Sequence, residues 1–247
     1  MRKERFLLIA VFLILVFAFT QTGLQAGGAK LQVSETSWDF GRAPQNSALS
    51  HSFWLKNVGT DTLRALTVSV AWGCTKAPLK KTELAIGDST ELIVSYTSGL
   101  TPGRVTKYAN VSFKEDTIPQ VQKIDLRAQI VPQEDTTFTI KSYPTLLDFS
   151  VRKGEKPQEQ KLTLKDLDVL EYKISVVDHP HEFFEVKADK KLKPGKSAEI
   201  KLKPIKELPA EGFKKVLTIE LQGKENTRVT IPLVYAVGAP AASAPKK

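Results

Sequence analysis

The chain contains one pattern written twice. "LQVSETSWDFG" (Leu31–Gly41) lies over "IKSYPTLLDFS" (Ile140–Ser150) at an offset of 109 residues. "SHSFWLKN" (Ser50–Asn57) lies over "EQKLTLKD" (Glu159–Asp166) at the same offset, and "ELAIGDSTELIVSY" (Glu83–Tyr96) over "KLKPGKSAEIKLKP" (Lys191–Pro204) at 108. Three matches at a nearly constant offset mark a duplicated unit of roughly 100 residues, long enough to close its own core. The expected organisation is a domain over 30–132 and a second over 138–237. A polar, proline-bearing linker, "VPQEDTT" (Val131–Thr137), joins them.

Each copy reads as strands. "LSHSFWLKN" alternates Leu49, His51, Phe53 and Leu55 against Ser50, Ser52 and Trp54. "STELIVSYT" puts Leu92, Val94 and Tyr96 on one face, and "KIDLRAQIV" repeats Ile124, Leu126, Ala128 and Ile130 at period two. That period belongs to half-buried strands. Turn signals such as "NVGTD", "AIGDS", "LTPGR", "PGKS" and "PAEG" punctuate the chain, each supplying Gly, Pro, Asn or Asp where the backbone must reverse. About seven short strands per copy predict an all-β chain of two tandem immunoglobulin-like antiparallel β-sandwiches, preferred over an up-and-down barrel. Pro232 predicts an edge or bulged position in the last strand.

The ends set the compartment. "MRKER" followed by the apolar run Phe6–Phe19 and the small residues before Lys30 form a signal-peptide pattern, cleaved after Ala26. The other reading is an uncleaved anchor, although the run spans only about 22 Å of a roughly 30 Å hydrocarbon core. The protein is expected to be exported, to the periplasm or the extracellular space. The tail 238–247, "GAPAASAPKK", is expected to be disordered.

One cysteine in 247 residues excludes an internal disulfide, so the cores must carry the stability. The net charge of +9 is uneven: residues 30–136 hold 12 basic and 11 acidic side chains, residues 137–247 hold 21 and 15. A near-neutral half and a basic half argue against one continuous charged groove.

With these landmarks the first copy resembles a bacterial exported immunoglobulin-like domain family of unknown function, related to the Hydin-type and major-sperm-protein folds. The resemblance runs from Leu31 to Val131. It is carried by "WDFG", "HSFWLKNVGTDTL", "WGCT", and "LAIGDSTELIVSY" ahead of "TPGR". The second copy is similar but divergent. The resemblance implies an all-β, non-enzymatic interaction module of the cell envelope. The family's loop commonly carries Cys-Gly-Cys-Thr; here Trp72 stands at the first cysteine, so a paired-thiol role does not carry over.

The chemistry-bearing residues are sparse. Cys74 would need a base and an oxyanion hole to act as a nucleophile, and the chain has only His51, His179 and His181. The plain reading is a small loop residue packed beneath Trp72, with an intermolecular disulfide as the other. His51 reads as a partly buried residue at the edge of a core. "DHPHEFF" (Asp178–Phe184) holds the weak metal candidates His179 and His181 beside Asp178 and Glu182, short of three or four converging ligands. "KADKKLKPGKSAEIKLKPIK" (Lys187–Lys206) concentrates eight lysines. These read either as a hairpin guarding a sheet edge or as a patch for anionic surfaces. "DFG" (Asp39–Gly41) lacks any kinase companion, so Asp39 is expected to bond nearby backbone.

The expectation is therefore a non-enzymatic protein with no cofactor, no bound metal and no nucleic-acid partner. Its partner would be an unidentified envelope protein. The alternative is an accessory module for a glycan or anionic lipid surface through the lysine-rich hairpin. The interaction candidates are Trp72, Cys74, Thr75, Lys190, Lys191, Lys193 and Lys196. Membrane association through the N-terminal segment applies only if that segment is retained.

Overall fold

The structure is a computed structural model, and it describes residues 28–71, 73–115, 118–132, 135 and 137–238. The leader, Trp72 and all but the first residue of the tail lie outside the described residues. Seventeen strands and no helix make up the described chain.

The first copy folds as two layers. One holds β1 (Leu31–Val33), β3 (Ala48–Asn57), β6 (Ser89–Thr97) and β5 (Thr75–Lys76), in that order. The other holds β2 (Ser37–Pro44), β8 (Ile118–Val131), β7 (Gly103–Glu115) and β4 (Arg64–Val70). The second copy repeats this plan. β9 (Ile140–Tyr143), β11 (Gln160–Asp166), β15 (Ser197–Pro204) and β13 (Phe184–Ala188) form one layer. β10 (Leu147–Asp148), β17 (Thr227–Tyr235), β16 (Phe213–Gln222), β12 (Tyr172–Asp178) and β14 (Lys191–Leu192) form the other. In each copy the second strand joins the last strand in parallel, β2 with β8 and β10 with β17. The duplication is thus one of topology as well as sequence, and each copy is a β-sandwich.

The period-two patterns bury as alternation demands. Leu49, Phe53 and Leu55 of β3 face Leu92 and Val94 of β6 inside the first core, all fully buried. Ala198, Ile200 and Leu202 of β15 do the same beside Leu162 and Leu164 of β11 in the second. Each such Leu, Ile or Phe contributes roughly 1.5–3 kcal/mol by leaving water.

The layers do not stop at the copy boundary. β2 pairs in parallel with β17, with Arg42 opposite Val229. This pairing fuses the two second layers into one sheet of nine strands. The two cores remain distinct clusters, except that Val216 of β16 packs into the first and half-buried Val177 of β12 packs against it. Gly41 permits the seam. Its φ is +63°, and a Cβ there would lie 2.2 Å from the Arg228 carbonyl oxygen. A register shift between Asp39 and Arg42 marks a bulge at the same place. The Asp39 carboxylate accepts the Gly41 N–H at 2.7 Å, and in the second copy Asp148 accepts the Ser150 N–H at 2.9 Å. Asp39 therefore bonds nearby backbone, as the sequence suggested.

Pro232 is not on an edge strand. β17 lies between β16 and β2, and Pro232 falls between Val229, paired to β2, and Leu233, paired to β10. Its missing N–H costs little where one neighbour hands over to the next.

Candidate interaction site at the junction

The seam is clasped by aromatic and charged side chains that sit far apart in sequence. Trp38 on β2 stacks on His51 of β3 with centroids 3.8 Å apart and planes 4° from parallel. His51 is buried and uses both ring nitrogens. Nε2 meets Glu35 at 2.9 Å, and Nδ1 reaches across the copies to Asp178 at 2.7 Å. Arg228 of β17 lies 4.6 Å from the Trp38 ring, donates to Glu220 at 2.9 Å and donates to the Asp39 carbonyl at 3.0 Å. Glu220 is held below the usual carboxylate range by the Gln222 amide and then by Arg228. His51 is thus not a residue at the margin of one core; it is a bridge between sandwiches.

Outside this clasp lies an open cleft of about 970 Å³ over the solvent face of the shared sheet. Its walls carry Arg42, Arg104, Arg127 and Arg228 and no lysine. The chain has 28 lysines and 8 arginines, so half of its arginines gather here. Arginine's planar fork matches a carboxylate in a way that lysine's point charge does not. The carboxylates lining the cleft are Glu35, Asp39 and Glu220.

The four guanidiniums have different commitments. Arg228 belongs to the clasp. Arg42 pairs with Asp135 of the linker and lies 4.3 Å from the Phe138 ring. Asp135 is pulled down to about 2; burial works against ionisation, but the Thr137 hydroxyl, Arg42 and the Thr137 N–H outweigh it. Arg127 is half exposed, with Asp125 at 3.7 Å, and that carboxylate also holds Lys123 at 2.9 Å. Arg104 is exposed and has no recorded partner among the described residues. The register sets Arg104 opposite Gln129 and Thr106 opposite Arg127, which makes the two arginines diagonal neighbours on one face of β7 and β8. One unpaired and one loosely paired fork thus stand side by side on the sheet. Periodicity marks these positions only as outward-facing; nothing in one sequence shows that β2, β7, β8 and β17 share a sheet.

The residues singled out from sequence are scattered. Cys74 is exposed, so it is not packed beneath a neighbour, and Trp72 lies outside the described residues. Thr75 is only 3 % exposed, its hydroxyl without a partner, and is too buried for a docking contact. Lys190, Lys191, Lys193 and Lys196 are exposed near one end of the second sandwich, with Lys191 bonded to Glu171 at 2.6 Å. The lysine-rich stretch is not a simple hairpin. β14 leaves to pair with β12 in the other layer, while β15 lies inside its sheet between β13 and β11.

His179 and His181 line a second, smaller cleft of about 300 Å³ with His51, Asp178, Trp54 and Glu91. Their rings are 6.3 Å apart. Burial first, and then His181, pushes His179 below the ordinary histidine value. Asp178 is committed to His51, and Glu182 lies 3.8 Å from Lys215. Among the described residues no group of three or more His, Cys, Asp or Glu side chains is placed to hold a metal ion.

Residues 31–130 match the model of a protein family of unknown function, DUF1573. No curated protein sequence matches the chain. Three solved structures show the range of likeness. A protein of unknown function from Porphyromonas gingivalis W83 is 15% identical, with 83% of this chain and 99% of that one covered and a TM-score of 0.35. The ASH/PapD-like domain 7 of human CEP192 is 11% identical, covering 43% and 89%, with a TM-score of 0.37. The Vibrio cholerae VesB protease is 14% identical, with a TM-score of 0.37; the match covers 40% of this chain and 31% of the protease. At TM-scores below 0.5 these likenesses carry no argument about chemistry or partners.

Proposed function

We propose that the protein is a non-enzymatic interaction protein of the cell envelope that docks a partner protein in the arginine cleft at the junction of its two sandwiches. One observation carries the reading: Arg104, which no carboxylate among the described residues pairs, stands beside Arg127, whose only carboxylate partner among them is Asp125 at 3.7 Å, over a sheet that both copies build. A partner carboxylate offered there completes a fork-to-fork pair on a surface that needs no rearrangement, and preorganised contacts of this kind convert most efficiently into affinity. The β-sandwich fold is compatible with that role.

The test is a photo-crosslinker at Thr106, inside the cleft, compared with one at Lys203 on the far sheet. The Thr106 probe is expected to give a discrete adduct in cells that disappears in the Arg104→Glu/Arg127→Glu protein. An adduct from Lys203 alone, or one indifferent to the double charge reversal, overturns the assignment. Turnover by the purified protein that is abolished in Cys74→Ala overturns the non-enzymatic reading.

A further inference from the structure

A different surface carries a second kind of recognition. The outer face of the four-stranded sheet β13–β15–β11–β9 is a lysine field. Register sets Lys187, Lys201 and Lys161 in one unbroken cross-strand row. Lys203 stands one pleat away opposite Glu185, and Lys165 stands between Ser197 and Lys141. Like charges placed directly opposite across strands are destabilising, and the exposed pairs these lysines make offset that only in part.

Edge protection does not explain it. β15 and β11 are interior strands, so Lys201, Lys203, Lys161 and Lys165 guard no edge. The face has few countercharges. Glu199 serves Lys161 at 2.8 Å and lies 3.9 Å from Lys201, and Glu185 lies 3.3 Å from Lys187. Lys141 donates to the Asp135 carbonyl. Lys165 and Lys203 have no recorded partner among the described residues. The exposed Lys193 and Lys196 extend the field past the end of β15.

We infer that this face docks on anionic phospholipid headgroups at a membrane surface. Its chemistry is the converse of the junction cleft: lysine without arginine, and a sheet face roughly 15 Å wide instead of a concave fork. Point charges spread over a plane suit a diffuse layer of phosphates, where each lysine adds about fivefold in partitioning. Half-exposed Tyr143 on β9 is the one aromatic on the face, at 63 % exposure, which suits a headgroup boundary and provides no row of stacking platforms for bases. The inference stands apart from the cleft reading and either can fail alone.

The experiment is co-sedimentation of the protein, as isolated from cells, with vesicles of phosphatidylcholine alone or with about 30% phosphatidylglycerol. A triple variant at Lys161, Lys187 and Lys201 keeps the basic N-terminal segment unchanged, so its difference from the wild type excludes any binding by that segment. The anionic vesicles are expected to bind at least about a hundredfold better at low salt, with the ratio falling toward one at about 0.5 M NaCl. Lys161→Gln/Lys187→Gln/Lys201→Gln is expected to lower the anionic binding on the order of a hundredfold. Arg104→Glu/Arg127→Glu is expected to leave it within about twofold. The lysine variant is expected to melt within about 5 °C of the wild type, because it loses the lysine–lysine repulsion together with exposed pairs to Glu199 and Glu185 that contribute little. An anionic-to-neutral ratio of one at low salt overturns the inference, as does full binding by the triple variant. A triple variant that melts more than about 5 °C lower assigns the row to stability instead. Binding of octaglutamate to this face without vesicle binding points to an acidic protein and also overturns it.

Discussion

Asp166 occupies in the second sandwich the place Asn57 holds in the first, one offset of 109 residues away, and both are fully buried. The Asn57 amide donates to the carbonyls of Asp61 and Leu84 at 2.8 and 2.9 Å, and its oxygen accepts the Gly59 N–H at 3.0 Å. Asp166 reproduces the accepting half, taking the Asp168 N–H at 2.7 Å, but its other oxygen is buried with no donor. Asp166→Asn should therefore stabilise the protein by about 1–2 kcal/mol in urea unfolding, since an amide can donate where the carboxylate cannot; a loss of stability would refute this. Asp135 gives the pH dependence at this scale. Its value near 2 lies below that of the unfolded chain, so its contribution is complete above about pH 4 and fades as pH falls toward 2. Asp135→Asn should be less stable than the wild type at pH 6, with the two unfolding midpoints converging near pH 2. The Asp39 and Asp148 backbone bonds were legible because both aspartates precede the same Phe at the repeat offset. The role of His51 was not: its partners lie 16 residues before it and 127 after it, and only the tertiary fold brings them together.

The strands were legible wherever burial alternates, because a period-two pattern is a direct consequence of one face meeting a core. The identity of a strand's neighbours was less so. Parallel pairing of β2 to β17 leaves no mark in either strand's own pattern, and Pro232 pointed to an edge that tertiary pairing removed. The seam carries its own signature in polar residues. Thr230 donates to the Phe40 carbonyl at 2.6 Å, which leaves the Thr218 hydroxyl to donate to Thr230 at 2.9 Å. Both threonines are fully buried. Thr230→Val should cost about 1–3 kcal/mol, because it strands the Thr218 hydroxyl and the Phe40 carbonyl together. The Thr218→Val/Thr230→Val pair should cost clearly less than the sum of the singles. Gly41→Ala should be harsher than any of these, since the added carbon meets backbone rather than a movable side chain. Circular dichroism across a urea series measures all four; additivity of the threonine pair would remove the shared-chain explanation.

At the scale of the molecule the fused sheet and the His51 bridge set two opposed tendencies. Two cores invite two unfolding steps, whereas a continuous hydrogen-bonded sheet with Val216 crossing into the first core resists them. The tryptophans separate these outcomes, because all three of them, Trp38, Trp54 and Trp72, belong to the first copy. Tryptophan fluorescence therefore reports the first copy and, through Trp38 beside Arg228, its seam with the second, while circular dichroism averages both. Coincident curves are expected for the wild-type chain, the signature of a single cooperative unit. His51→Ala removes the stacking partner of Trp38 and leaves Glu35 and Asp178 facing an empty site, without touching either core's aliphatic packing. Its fluorescence transition should move to lower urea, ahead of circular dichroism, as the first sandwich loses its hold on the second. If instead the wild-type curves already separate, the shared sheet does not couple the copies, and a cleft that depends on their fixed relation loses its physical basis.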